Sequence, residues 1–410
     1  MSQLIERKQY MQTLLEWKDL NIIKVITGVW RCGKSTLLQM FADELLQDGV
    51  TEEQIQFYNF EDFDTHSLVT WKDIYKYIKV RLIPDKINYV FLDEVQKIAD
   101  FYRLVGGIFS KKNVDLYLIG SNARIFSDEL KTWLMEKYIQ IPIFPMQFAE
   151  YYDFITLKFP KASKMECLEK FIMEGGVPEY LNRKNTGQKQ ANDFMRDALI
   201  SIVKKDVYGG LNSKNKCNFH EVVNYVFDYV GSLISPHSIS KSLRINNGAI
   251  VKCKTAAKYL DALCSAFLFY KVPQIEMKSK KIHLPVVNKY YLVDPCFRKV
   301  RLWRNMEDER SMWLENLVYF ELLRTNKDVY IGLINNKEID FVATDYNDCT
   351  SYYQVSWSTE NEDYLKRELA SLRAINDSNP KYLLTMDIDS NPVYGDIRKL
   401  NVADWLLDKQ

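Results

Sequence analysis

Gly28-Val-Trp-Arg-Cys-Gly33-Lys34-Ser35 sets two glycines, a lysine and a hydroxyl at the spacing G-x-x-x-x-G-K-[ST]. The glycines let the backbone curl until successive N–H groups face one point. The helix that follows adds the positive end of its dipole. A chain of phosphates suits that point. Lys34 is expected to reach the β- and γ-phosphates and the Ser35 hydroxyl to ligate Mg²⁺. Gly28, Arg31, Cys32, Gly33 and Thr36 belong to the same nucleotide-binding loop. The alternative is a chance glycine turn. Four fixed residues between an apolar strand and an amphipathic helix weigh against it.

A second set of residues completes this chemistry. Val90-Phe91-Leu92-Asp93-Glu94 is an apolar run ending in two acids. On a buried strand, such a pair stands at the carboxyl edge of a sheet, where P-loop proteins hold their metal and attacking water. Asp93 is expected to serve Mg²⁺ with Ser35, and Glu94 to polarise the water. Asn-Lys-x-Asp, the guanine-reading motif, occurs nowhere in the chain, which speaks against GTP; that ATP is the nucleotide is what the family resemblance given below implies.

Specific elements must position these groups. Residues 1–20 read as a helix leading into a strand over 22–26, and residues 35–46 carry apolar side chains at helical spacing. Residues 55–60, 89–92 and 116–119 read as further strands, with helical segments such as 67–82 between them. Strands alternating with helices predict a parallel sheet covered on both faces. Near Pro142 and Pro145 the pattern changes. Residues 146–215 read as mostly helical, broken at Gly175-Gly176-Val177-Pro178. Residues 217–300 read as helices followed by strands at 267–272 and 290–293. From about Met312 the order is helix, three strands, helix, strand.

Length and composition bound the alternatives. A chain of 410 residues, 47% hydrophobic and 27% charged, is expected to hold several globular domains, not a disordered or coiled-coil rod. The boundaries fall at 1–145, 146–215, 216–305 and 306–410. With 55 basic against 54 acidic residues, no uniform cationic coat exists for nucleic acid. Locally the balance differs, since residues 217–304 hold ten lysines and four arginines against five acids. That excess suits either an interface with the acidic flanks or a polyanion-facing surface. Seven cysteines, at 32, 167, 217, 253, 264, 296 and 349, show no C-x-x-C spacing, so a zinc knuckle has no support. Reduced thiols in the cytoplasm are expected. No signal core opens the chain and no apolar run is long enough to span a membrane.

Gly28–Thr36, Phe91–Gln96, Gly120-Ser121-Asn122, Gly175-Gly-Val-Pro178, Asp294 and Leu314-Glu-Asn316, in that order, resemble the AAA-type P-loop ATPases of bacteria and archaea that carry a C-terminal restriction-endonuclease-like domain. The resemblance covers nearly the whole chain. It implies an α/β fold with an AAA-type parallel sheet, a helical and winged-helix region, and a small α/β restriction-endonuclease-like domain. It implies that Arg7, in the leading helix, touches the nucleotide. It also implies that a polar residue at the end of the fourth strand contacts the γ-phosphate or the water. Asn122 is that candidate, with Ser121 second; their alternative role is to cap the next helix. Arg103 and Arg124 are candidate arginine fingers. Where members have Gly-Arg-Tyr, this chain has Glu136-Lys137-Tyr138, and a lysine lacks the planar fork of arginine.

In the winged-helix-like stretch, 237–244 and 255–267 are the expected helices of a helix-turn-helix. Ala256, Tyr259, Leu260, Leu263 and Phe267 form its buried stripe. Lys252, Lys254 and Lys258 are candidate DNA contacts, and Lys278, Lys280 and Lys281 are placed on the wing. A protein-binding module with a solvated basic face is the alternative. In the last domain Asp340 fits the first metal position of a nuclease. Gln354 and Ser356 stand where an acid and a lysine belong, so a degenerate nuclease fold is expected. Together these residues predict an Mg²⁺-dependent ATPase whose nucleotide state controls contact with DNA or a protein partner. A non-catalytic ATP-binding adaptor and, third, a nuclease are the alternatives.

Overall fold

The computed structural model describes residues 5–60, 70–126, 132, 137–208, 218–247, 250–278, 281–282, 287–302, 309–389 and 392–408. The chain divides into two compact units, Met1–Phe144 with Ser265–Phe267, and Pro145–Cys264 with Leu268–Gln410.

The first unit runs α1 (Lys8–Glu16), β1 (Ile23–Thr27), α2 (Lys34–Gln47), β2 (Ile55–Asn59), α3 (Trp71–Arg81), β3 (Asn88–Asp93), α4 (Phe101–Phe109), β4 (Val114–Gly120) and β5 (Tyr138–Pro142). The strands form one parallel sheet in the order β2-β3-β4-β1-β5. Every residue of β1 is buried, as expected of a central strand covered on both faces. Alternation divides the side chains between two cores. Ile23, Val25, Val90, Leu92, Leu116 and Leu118 pack toward α3 and α4. On the opposite face Phe91 stacks on Tyr117 at 4.7 Å and Phe41 of α2 meets Tyr117 at 5.5 Å. The parallel α/β sheet is the fold the alternating pattern predicts.

The sequence reading missed β5. Its Tyr-Ile-Gln-Ile-Pro run buries only Ile141 and ends in a proline, the marks of an edge strand, so no buried-strand signal announces it. The leading helix is also shorter than residues 1–20, covering Lys8–Glu16.

The second unit begins with helices Phe148–Thr156, Lys164–Glu174, Pro178–Lys184 and Gln188–Ile202. Next come helix Phe219–Asp228, β6 (Leu233–Ile234), helices Pro236–Asn247 and Cys253–Ser265, β7 (Phe269–Val272), β8 (Gln274–Glu276), β9 (Lys281–Ile282), β10 (Asn288–Leu292) and helix Pro295–Leu302. β10 pairs antiparallel with both β6 and β7. Helix Arg310–Thr325, β11 (Asp328–Ile334), β12 (Lys337–Thr344), β13 (Thr350–Ser356), helix Glu362–Leu372, β14 (Lys381–Thr385), β15 (Val393–Tyr394), β16 (Ile397–Asn401) and helix Val402–Leu407 complete it. The last sheet has the order β15-β16-β14-β13-β12-β11-β8-β9. The β8–β9 hairpin, in the stretch expected to form the wing, is an edge of this sheet, with β8 parallel to β11. The stripe on Cys253–Ser265 is buried at Ala256, Tyr259, Leu260 and Leu263. Phe267 is corrected out of it, since the helix ends at Ser265 and Phe267 turns the chain at φ 53°.

The family-like motifs of this unit act as joints. The Asp294 carboxylate accepts hydrogen bonds from Gly176 N at 2.6 Å and Cys296 N at 2.9 Å. Gly175 has φ 82°, and a Cβ there would lie 1.8 Å from the same carboxylate, so only glycine fits. Asn316 bonds both the N–H and the carbonyl of Leu292, at 3.0 and 2.9 Å, tying helix Arg310–Thr325 to β10.

At the amino edge of the parallel sheet, Lys24 is fully buried and its ammonium meets Asp115 at 2.5 Å. Burial pulls the Lys24 pKa down against the attraction of Asp115, and burial pushes Asp115 up against that of Lys24. Asp19 N and Tyr117 Oη donate to the other Asp115 oxygen, each at 2.9 Å. Removing one partner strands a charge in the core. Lys24→Met is expected to cost about 3–5 kcal/mol in urea unfolding. The double variant with Asp115→Leu is expected to recover most of that loss; no recovery would mean the two charges are not paired.

Candidate functional site

Buried β1 delivers the chain directly into the phosphate-type loop, and α2 begins at Lys34, as the motif requires. Gly28 has φ 149°, and a Cβ there would come within 2.1 Å of the Ile143 carbonyl oxygen. That carbonyl belongs to the strand-end segment whose own N–H donates to Thr27 O at 2.7 Å. The glycine therefore permits close approach of two backbones. Gly33, at φ 102°, caps α2 with no side-chain hydrogen bond, so the N–H groups of the first turn stay available to an anion. Lys34 is buried, and its ammonium donates to Gly28 O at 2.8 Å and Val29 O at 3.1 Å. It folds back over the loop that it would leave for a phosphate. Cys32 is fully buried, whereas Arg31 and Thr36 are exposed, with the Arg31 guanidinium 4.4 Å from the Trp30 ring.

β3 and β4 bring up the acids. The Ser35 hydroxyl lies 3.4 Å from Asp93 Oδ2. Two hard oxygens at that separation fit the coordination shell of one Mg²⁺ ion, directly or through a water. Glu94 is buried at a φ of 56°, a left-handed conformation unusual outside glycine. Its N–H donates to Ile119 O at 2.8 Å. One carboxylate oxygen accepts from Ser121 N at 3.0 Å and the other from Gln96 Nε2 at 2.6 Å. The left-handed turn aims the carboxylate back across the sheet edge toward the end of β4. Asn122 is buried beside Ser121, and its carbonyl accepts from Ile125 N at 3.2 Å in the turn Ala123–Phe126.

Arg7 is buried and donates to Cys32 O at 3.3 Å and Phe144 O at 2.9 Å, with its guanidinium 4.7 Å from the Tyr10 ring. It thus braces the loop from behind, in contact with the loop's main chain. Arg103 is exposed, with its guanidinium 5.9 Å from the Trp71 ring. Lys137 is exposed just before β5. Lys252, Lys254, Lys258 and Lys278 are exposed. Lys254 and Lys258 occupy the solvent face of helix Cys253–Ser265, and the Lys252 carbonyl accepts the first-turn N–H groups of Thr255 and Ala256 at 2.8 and 3.0 Å. Lys280 and the side chains of Arg124 and Lys281 lie outside the described residues.

Sequence reasoning missed two residues. Gln96 holds Glu94; it closed the Phe91–Gln96 run of the resemblance but was assigned no role there. Lys289, on β10, had none. Its buried ammonium meets Glu315 at 2.8 Å and Glu338 at 2.7 Å, and Tyr291 Oη donates to the same Glu315. Burial alone would lower the Lys289 pKa, but the surrounding carboxylates raise it. Asp340 is buried next to them and accepts from Val355 N at 2.8 Å. Burial, then the Glu315 charge, push its carboxyl well above the usual range. Gln354 is satisfied at both ends: its amide donates to Glu368 at 2.9 Å and its carbonyl accepts from Ser371 at 3.1 Å. Ser356 bonds the Ser358 carbonyl. Asp340, Glu338 and Gln354 line an open hollow of about 480 Å³. The residues fit a nuclease metal poorly. The central ligand position holds an amide with both ends engaged, and a lysine cation already answers Glu315 and Glu338.

Residues 21–152 match the AAA domain family. Residues 165–303 match a family described as a domain of unknown function (DUF8612). Residues 21–152 are therefore a domain of the AAA type, with its P-loop at Gly28–Ser35. An uncharacterized protein of Haemophilus influenzae is 30% identical over 410 residues, spanning 98% of this chain and 99% of that protein. An uncharacterized protein of Methanocaldococcus jannaschii is 24% identical over 372 residues, 87% of this chain and 79% of its own length. A Walker-type ATPase of Pyrococcus abyssi shares the fold, with a TM-score of 0.51 at 14% identity, over 73% of this chain and 96% of that one. No helix among the described residues is long and apolar enough to cross a membrane.

Lys34 is the cation of the loop, so Lys34→Ala is expected to weaken ATP binding at least about tenfold, the loss of one charge-assisted contact. Titration with a fluorescent ATP analogue measures it. An unchanged affinity would place the nucleotide elsewhere.

Proposed function

We propose that this chain hydrolyses ATP with Mg²⁺ and that its nucleotide state controls contact with DNA through residues 218–302. The observation that carries the ATPase half is the facing of Ser35 and Asp93 at 3.4 Å, with Glu94 fixed beside them by two hydrogen bonds. An adaptor that only stored ATP has no use for an oriented glutamate held in a strained backbone conformation.

The chemistry follows from placement. Main-chain N–H groups of the loop and the start of α2 bind the phosphate oxygens. Lys34 exchanges two carbonyl contacts for the β- and γ-phosphates, where negative charge shifts as the terminal bond breaks. Bound Mg²⁺, held by Ser35 and Asp93, would neutralise the same oxygens. Glu94 accepts a hydrogen bond from the attacking water and orients it; Asn122 lies at the adjoining strand end to contact the γ-phosphate or that water. Arg7 keeps the loop in shape from behind.

The DNA half rests on the middle segment. Its order of helix, strand, two helices, strand and a further strand, with β10 between β6 and β7, supports reading it as a winged helix. Lys252, Lys254 and Lys258 are exposed at and along its second helix-turn-helix element, where phosphates are within reach of a docked helix. Lysines without paired arginine forks favour backbone contact over base readout. The last domain is read as a degenerate nuclease fold that contributes structure.

Two experiments test the halves separately. Glu94→Gln is expected to retain ATP binding and to slow phosphate release by about two to three orders of magnitude. Wild-type turnover in that variant would remove Glu94 from its role, and no release by the unmodified chain would favour the adaptor. DNA affinity is expected to fall steeply with salt. Changing Lys252, Lys254 and Lys258 together to Ala is expected to flatten the log–log salt slope by up to about three units. An unchanged slope would assign the basic face to a protein partner.

A further inference from the structure

Gln96 sits in the short turn that follows β3, two residues beyond the glutamate. Its amide nitrogen reaches Glu94 Oε2 at 2.6 Å, the shortest bond Glu94 makes among the described residues. Its carbonyl oxygen is buried, and no donor among the described residues reaches it. A buried acceptor without a partner is uncommon and asks for a reason. Flipping the amide would not satisfy it at no loss, because the carbonyl would then face a carboxylate. The side chain therefore keeps its NH₂ on Glu94 and leaves its own oxygen unsatisfied. Gly120, at the end of β4, lies beside that oxygen. A Cβ there would meet the Ile125 side chain at 3.0 Å and the Gln96 oxygen at 3.4 Å. Ser121 N, one residue on, holds the other Glu94 oxygen at 3.0 Å.

We infer that Gln96 is a positioning residue for hydrolysis: with the Ser121 N–H it clamps both oxygens of Glu94 and sets the direction in which that carboxylate meets the attacking water. This inference rests on the ATPase reading. It goes beyond it by assigning the orientation of the glutamate to a side chain outside the phosphate loop and the acidic pair. The clamp joins the turn after β3 to the end of β4. Whatever displaces Ser121–Asn122 thereby turns the Glu94 carboxylate. Neither clamp group needs to touch the nucleotide.

The test uses the full chain with Gln96→Leu and Gln96→Glu, each also combined with Glu94→Gln. The leucine variant keeps the bulk and loses the donor. It is expected to lower kcat by about 100-fold, the scale of a small misplacement of a reacting group, with ATP affinity within about twofold of wild type. In the Glu94→Gln background the same change is expected to do nothing further, because the group it positions is gone. The glutamate variant puts an acceptor where the donor stood and is expected to lower kcat at least as far, again with ATP affinity within about twofold of wild type and no further loss in the Glu94→Gln background. A purely structural Gln96 would instead lower turnover equally in both backgrounds, and that result would overturn the inference alone. If wild type turns over but Glu94→Gln matches it, the ATPase assignment of Glu94 fails, and this inference with it.

Discussion

The first turn of α2 has N–H groups with no acceptor inside the helix, and the strand that leads to it is buried on both faces. The rest of the first unit follows from this constraint. A buried strand fixes where the loop begins. Gly28 lets the loop pass against the Ile143 backbone, and Gly33 lets it turn into the helix. The result is a cluster of donors with a deficit of negative charge. Lys34 turns inward to two carbonyls of its own loop, so the cluster's own cation is also answered by main chain. An anion with several oxygens can satisfy both sets of groups at once. The acids at the ends of β3 and β4 are placed by the same sheet, because parallel strands bring all their carboxyl ends to one edge.

The second unit answers charge differently, from inside. Asp294 is taken up by two backbone N–H groups next to a glycine that leaves no room for a Cβ. Lys289 is taken up by two carboxylates from different elements, helix Arg310–Thr325 and β12. A buried charge is tolerated only when it is paired and hydrogen-bonded. These contacts therefore specify how β10 lies against helix Arg310–Thr325 and β12 more than they stabilise it. Around Glu315 and Glu338 the cation that answers the carboxylates is thus a lysine side chain, with Asp340 buried beside them.

How much was legible in the sequence depended on whether the signal was local. The phosphate loop was legible because its chemistry needs fixed residue types at fixed spacing, and the acidic pair because it ended an apolar run. The parallel sheet followed from runs such as Val90–Leu92, which only a strand buried on both faces requires. β5 was not legible, since an edge strand ending in proline resembles a loop. The contact of Arg7 with the loop carbonyl of Cys32 was not legible, because it is a long-range pairing that no local pattern carries. Lys289 was hidden for the same reason, since its partners lie 26 and 49 positions away. The place of β8 and β9 in the last sheet was equally hidden, because strand pairing between distant segments leaves no trace in periodicity. The residues Gly175, Asp294 and Asn316 were visible as a recurring order; their physical roles appear only once the fold brings them together.

The most direct measurement is a crystal structure of the chain with Mg²⁺ and an ATP ground-state analogue such as ADP–beryllium fluoride. The account predicts that Lys34 leaves the Gly28 and Val29 carbonyls for the phosphates. It predicts the metal between Ser35 and Asp93, and a water in line with the terminal group hydrogen-bonded to a Glu94 carboxylate still held by Gln96. An analogue bound with Lys34 still on its own loop, or with Glu94 turned away from the terminal group, would contradict it.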